Sequence, residues 1–142
     1  MSNLAVLDSP EAIRTNLEAV IAPEDRGRRS AWFFLCDDAN RGLVTACVDD
    51  LPATLSMAEC RHAVSVFAEP LACRDGGAML VALTRRGPAS ITATDRNWYH
   101  AVHEICADQD HAIRVLGVHL VTPQVNREIA SDDLVTQQSS EG

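Results

Sequence analysis

The amino-acid sequence predicts an α/β domain: a mixed β-sheet flanked by helices, in the order α-β-β-α-β-α-β. Three observations carry that expectation. Two apolar runs of strand length, residues 31–36 and 43–48, are separated by turn-forming residues from Asp37 to Gly42, which is the pattern of a hairpin. A capping box, Ser56-Met57-Ala58-Glu59, precedes apolar residues at helical spacing. Two further apolar runs, residues 79–83 and 115–121, flank a second helical pattern, and a helix between two strands favours parallel pairing by a right-handed crossover. The hairpin makes the sheet mixed, and helices are expected on both of its faces.

Each element follows from local chemistry. Asp8-Ser9-Pro10-Glu11 reads as a helix start, because Asp or Ser can cap and Pro is tolerated in the first turn. Ala12, Ile13, Leu17, Val20 and Ile21 then share a helical face, and Pro23 ends the helix. The connection 24–30 carries Arg26, Arg28 and Arg29. After the hairpin, the helix following Ser56 places Cys60, Val64 and Phe67 on one face and is expected to stop before Pro70. Residues 74–77, Arg-Asp-Gly-Gly, form a turn before the third strand. Thr92 or Thr94 caps the next helix, with Asp95 favourable in its first turn and with Trp98, Val102, Ile105 and Cys106 as its apolar stripe. The fourth strand is centred on residues 115–121, and residues 125–134 are expected to add a short fifth.

A length of 142 residues fits one domain. A chain of that size buries roughly two-thirds of its unfolded surface and needs no metal or disulfide merely to fold. We divide it into an N-terminal segment, residues 1–9, the α/β domain, residues 10–134, and a polar tail, residues 135–142, expected to be disordered. Residues 1–7 likewise look unlike packed structure. With twelve basic and twenty acidic side chains the net charge is −8, which repels DNA and anionic membranes at long range and disfavours a nucleic-acid partner. The five cysteines, at 36, 47, 60, 73 and 106, contain no C-x-x-C. They are expected to be reduced, mostly buried thiols, which points to the cytoplasm. No apolar run approaches membrane-spanning length, and no signal-peptide pattern opens the chain.

Several residues in this order resemble the RadC-like branch of the JAB/MPN metalloprotease-like domains, over residues 10–134. The family's L-D-x-x-N-R turn is matched by Leu35-Cys36-Asp37-Asp38-Ala39-Asn40-Arg41. Its third strand runs into H-x-H-P-S-G and then P-S-x-x-D at a helix start, and here the strand 78–83 is followed by residues 90–95, ending at Asp95. A later D-H-apolar strand resembles Val118-His119-Leu120-Val121. The resemblance implies the JAB/MPN fold, with the layering of cytidine deaminases. It also implies zinc chemistry, in which two histidines and the later Asp hold the ion and a Glu is the general base.

The chain departs from that set. The two histidine positions fall within residues 82–85, Ala-Leu-Thr-Arg, and the general-base position falls on Arg29. Asp95 alone remains, and one carboxylate cannot hold catalytic zinc. The resemblance therefore implies the fold and withholds the activity. No metal or cofactor is expected. The same positions converge in the family, so they would bring Arg29 and Arg85 or Arg86 beside Asp95, a guanidinium standing where the cation was. The alternative is that these arginines face solvent and Asp95 serves only its helix N-terminus.

Other constellations are less specific. His100 and His103 share a helix side at i, i+3, but no H-E-x-x-H occurs. His119 sits in an apolar strand, where a hydrogen-bonded core or sheet-edge histidine is the default. His62 and His111 have no readable partners, and neither a nucleophile elbow nor a phosphate loop is present. Trp32 and Trp98 read as core or near-core. The expected function is a non-catalytic interaction domain, with a homodimer, another protein or a small anion held by the arginines as partner. The acidic tail after Ser131 would tune solubility or mask that site. The competing expectation is a hydrolase with relocated metal ligands, Asp95 with His100, His103 or His119.

Overall fold

Strand β1 (Ser30–Cys36) lies in the interior of the sheet and is buried along nearly its whole length. That burial explains why its sequence is a continuous apolar run rather than an alternating one. The computed structural model describes residues 6–72, 76–108 and 112–134. Helix α1 (Pro10–Val20) precedes β1, with a 3-10 turn at Pro23–Asp25 between them. Strand β2 (Gly42–Val48), helix α2 (Met57–Ala72), strand β3 (Ala78–Thr84), helix α3 (Ala93–Ala107), strand β4 (Arg114–Val121) and strand β5 (Asn126–Glu128) follow. The five strands form one sheet in the order β2-β1-β3-β4-β5. Strand β1 is antiparallel to β2 and to β3, β3 is parallel to β4, and β4 is antiparallel to β5. The mixed α/β architecture expected from the sequence is the one observed. The α2 crossover skips over β1, so the parallel partners β2 and β3 are not neighbours.

The hairpin turn is set by Asp37 and Asn40. The Asp37 carboxylate accepts the backbone N–H groups of Ala39 and Arg41, both at 2.9 Å. Asn40 takes a left-handed backbone conformation, φ 63°, which Asn tolerates well. From the start of β4, Arg114 donates to the carbonyls of Asp37 and Asp38 and to the Asn40 side chain. The residues that carry the family resemblance here thus have a local structural role.

The sheet has helices on both faces. On one side α1 packs Ile13 and Leu17, with Leu7 and Ile21, against Phe34, Leu80 and Val121. On the other, α2 and α3 pack Val64, Leu71, Trp98 and Val102 against Phe33, Val81 and Leu120. Phe33 is fully buried there, stacked on Phe67 with ring centroids 4.3 Å apart and meeting the Trp98 ring edge-on at 6.1 Å.

Tertiary packing corrects several local expectations. Leu7 is 2% exposed and donates its N–H to the Asn40 carbonyl, and Val6 bridges to Arg41, so the N-terminal segment is tied to the hairpin turn through these two residues. Val20 is exposed, because the chain leaves the helix at Ile21 and buries that residue instead. Helix α2 continues past Pro70 to Ala72. The proline forfeits one bond, near the helix end and to the carbonyl of the exposed Val66, while the next residue, Leu71, is buried. Strand β5 is only three residues, and residues 131–134 form a helical turn whose Asp133 accepts from the Ala130 N–H. Cys36, Cys60 and Cys106 are buried, but Cys47 is exposed on β2. Trp98 is in the core, and Trp32 is only partly buried, against the α1 face. The tail 135–142, Cys73, Arg74, Asp75 and His111 lie outside the described residues. No described helix is long and apolar enough to cross a membrane.

Phe33→Ala removes the ring that joins β1 to both helices of one face. It is expected to lower unfolding stability by about 3–5 kcal/mol, read from the midpoint of urea denaturation followed by Trp98 fluorescence.

Candidate functional site

Strand β3 alternates its side chains, with Met79, Val81 and Leu83 facing α2 and α3 and Ala78, Leu80 and Ala82 facing α1. Continued past the strand end, that alternation directs Arg85 to the side where α3 begins. Helix α3 opens on a capping box. Thr92 Oγ1 accepts the Asp95 N–H at 3.1 Å, and the Asp95 carboxylate accepts the Thr92 N–H at 3.0 Å. The capping carboxylate and the guanidinium meet in a buried ion pair, with side chains 8% and 5% exposed.

All five N–H donors of Arg85 are engaged. Nε donates to Asp95 Oδ1 at 3.5 Å, and Nη2 donates to Asp95 Oδ2 at 2.8 Å and to the Ser90 carbonyl at 2.9 Å. Nη1 donates to the carbonyls of Arg86 and Pro88 at 3.1 and 3.0 Å. The guanidinium therefore gathers the loop 86–90 around itself and ties it to the N-terminus of α3. A cavity of about 30 Å³ adjoins the pair, bordered by Arg29, Ser30, Leu55, Thr84, Thr94 and Trp98. That is room for about one water molecule. The loop 49–56 closes it: Leu55 N–H donates to Thr94 Oγ1, Asn97 Nδ2 to the Leu55 carbonyl, and Leu51 N–H to the Arg29 carbonyl.

The structure thus brings Arg85 and Asp95 together. It places Arg29 at the rim, exposed, with its backbone holding Leu51. Arg86 is also exposed, and its guanidinium lies over Gly27, where an added Cβ would come 3.1 Å from the guanidinium carbon. Arg86 meets Arg85 through its carbonyl rather than its side chain. Of the two adjacent arginines, β-strand alternation was the signal that singles out Arg85. The backbone carbonyls of residues 86, 88 and 90 have no sequence signature at all.

The residues at this place do not fit a zinc ion. Positions 82–84 carry Ala, Leu and Thr side chains, all buried, and both carboxylate oxygens of Asp95 already accept hydrogen bonds from Arg85. The relocated ligands do not assemble either. On α3 the Tyr99 ring meets His103 tilted at 42° with centroids 4.4 Å apart, and meets His100 edge-on at 5.7 Å. His119 lies across the sheet from them, on the α1 side, in a cleft of about 300 Å³ with Arg14, Asn126 and Glu128. Among the described residues no group of three or more His, Cys, Asp or Glu could hold a metal ion. The buried thiols are poor nucleophiles: burial pushes Cys36 and Cys60 up to about 11 and Cys106 up to about 12.

His119 is 7% exposed, and no aligned hydrogen bond reaches its Nδ1. Burial lowers its pKa to about 4, although the nearby Asn126 side chain favours the cation. No family model, curated protein or solved structure matches the chain.

Two outcomes follow from these side chains. Arg85→Ala leaves Asp95 buried without its cation and is expected to cost about 3–5 kcal/mol. A double-mutant cycle with Asp95→Leu should give a coupling of about 2–3 kcal/mol by urea denaturation, against less than about 1 kcal/mol for the exposed Arg61–Glu104 pair. For His119, the unfolded chain takes up its proton near 6.5, before the folded chain does near 4. Its contribution is therefore full above pH 6.5 and falls away as pH drops toward 4. Urea midpoints taken across that range should slope downward with acid, and His119→Leu should flatten the slope.

Proposed function

We propose that the chain is a non-catalytic protein-interaction domain of RadC-like JAB/MPN type, in which a guanidinium stands where the resembled family holds zinc. One observation carries the reading: every donor of Arg85 and both carboxylate oxygens of Asp95 are committed to one another and to the surrounding loop. A site so filled offers no open coordination position and no general base. It also leaves Arg85 no donor for a small anion, so an anion would have to rely on the exposed Arg29 and Arg86. What remains for function is surface, and the surface that stands out is strand β2 at the rim of the sheet. Leu43 is 36% and Val44 is 55% exposed there. A cytoplasmic setting accompanies this reading, since Cys36, Cys47, Cys60 and Cys106 are free thiols.

The test is metal content. Protein prepared without a histidine tag and dialysed against zinc is expected to retain well under one ion per chain by elemental analysis. Stoichiometric zinc that disappears in Asp95→Ala would falsify the reading and restore the hydrolase with relocated ligands.

A further inference from the structure

The face of the sheet beneath α1 is covered unevenly. Five strands about 4.8 Å apart make a face about 20 Å across, and one helix covers about 10 Å of it. Helix α1 packs its apolar residues against β1, β3 and the end of β4. Beside it two clefts of about 290 and 300 Å³ open over β4 and β5, sharing Pro10, His119 and Glu128 as walls. These volumes stand at the lower end of small-molecule sites.

The backbone of β4 makes this room. Its pairing passes from Met79–Val115 to Leu80–Gly117, so Leu116 is an extra residue, a bulge of the kind that re-aims side chains beside binding sites. Gly117 takes φ 152°, and a Cβ added there would come 3.3 Å from both His119 Nε2 and Glu128 Oε2. His119 and Glu128 stand opposite each other on β4 and β5. The bare glycine therefore leaves a space that an imidazole nitrogen and a carboxylate oxygen both border.

The fold does not occupy the polar groups around this space. His119 is 7% exposed with Nδ1 unpartnered, and the Asn126 amide near it has buried Oδ1 and Nδ2 atoms that no aligned hydrogen bond reaches. Buried polar atoms left in this way are rare in folded chains. Among the described residues neither Arg14 nor Glu128 has a side-chain hydrogen bond or ion-pair partner. The charges select the ligand. Arg14 lines the second cleft together with Glu11 and Glu128. The two carboxylates disfavour a simple anion and the guanidinium disfavours a simple cation, whereas a zwitterion satisfies both. Burial keeps His119 uncharged near neutral pH, so a ring nitrogen is able to accept from an ammonium. The first cleft adds an apolar wall of Ile13 and Leu116.

We infer that the cleft binds a free aliphatic α-amino acid, with its ammonium between His119 Nε2 and Glu128, its carboxylate at Arg14 and its side chain against Ile13 and Leu116. The site lies across the sheet from the Arg85–Asp95 pair, so it goes beyond the reading of the chain as an interaction domain and does not rest on it.

The experiment is calorimetric titration of the full chain with L-leucine, L-leucinamide and N-acetyl-L-leucine. L-Leucine is expected to bind with a dissociation constant below about 1 mM, and the two derivatives, each lacking one charge, about ten-fold or more weaker. Arg14 and Glu128 are exposed, so their variants should keep the wild-type circular dichroism and thermal midpoint. Arg14→Gln should weaken L-leucine about ten-fold and leave L-leucinamide no weaker, while Glu128→Gln should weaken both. Amide shifts in the wild type should centre on Gly117, His119 and Glu128. No heat and no amide shift at about 10 mM L-leucine overturns the inference. So does L-leucine binding that both variants leave unchanged, and so does L-leucinamide binding as tightly as L-leucine, which marks a site for an ammonium alone. Each of these results leaves the zinc measurement, and the reading it tests, where it stood.

Discussion

Arg85 is the point at which three otherwise separate parts of the chain are joined. Its backbone continues β3, its side chain collects the carbonyls of the following loop, and its charge is matched by the carboxylate that caps α3. A guanidinium can do this because it offers five donors in a fixed plane and remains charged when buried. The arrangement resembles what a structural cation does, with a carboxylate and several carbonyl oxygens arranged around one positive centre. It differs in that the centre is covalently part of the chain, so it cannot exchange and cannot activate a water.

The sheet itself partitions the chemistry. Strand β3 is buried over its full length, and side chains leave it toward α1 or toward α2 and α3 by strict alternation. Asp95, His100 and His103 belong to one compartment and His119 to the other. A layer of backbone with apolar residues on both faces stands between them, and no side-chain rearrangement carries a ligand through it. Proximity in sequence order, which made Asp95 and these histidines candidates for one site, says nothing about the face on which each residue sits.

What could be read before the structure was local. The Asp37-to-Gly42 turn, the helix cap at Thr92, one of the two threonines the sequence offers, and the buried run of β1 each depend on residues within a few positions of one another. Leu7, the passage of α2 beyond Pro70 and the shortness of β5 depend on partners far along the chain. Leu7 is held by Asn40, and Leu71 is buried beneath the sheet against Gly77. The candidate site shows the same division. The acid at the helix start was legible from capping chemistry. The choice between Arg85 and Arg86 needed the parity of β3, and the role of the rim arginine Arg29 needed the course of the loop 49–56. The exposure of β2 was not legible at all, because an edge strand and an interior strand of a hairpin are distinguished only by the strand order.

The unlikeness of the two rims bears on how far assembly can go. A sheet with two receptive edges can accept a neighbour on each side, and each addition exposes a fresh edge for the next, which is how ordered aggregates grow without limit. Here one rim is β5, three residues that include Arg127 and Glu128, which blunts it against a further strand. The fold thereby closes the β5 side to growth and leaves β2 as the rim on which any added strand would have to begin.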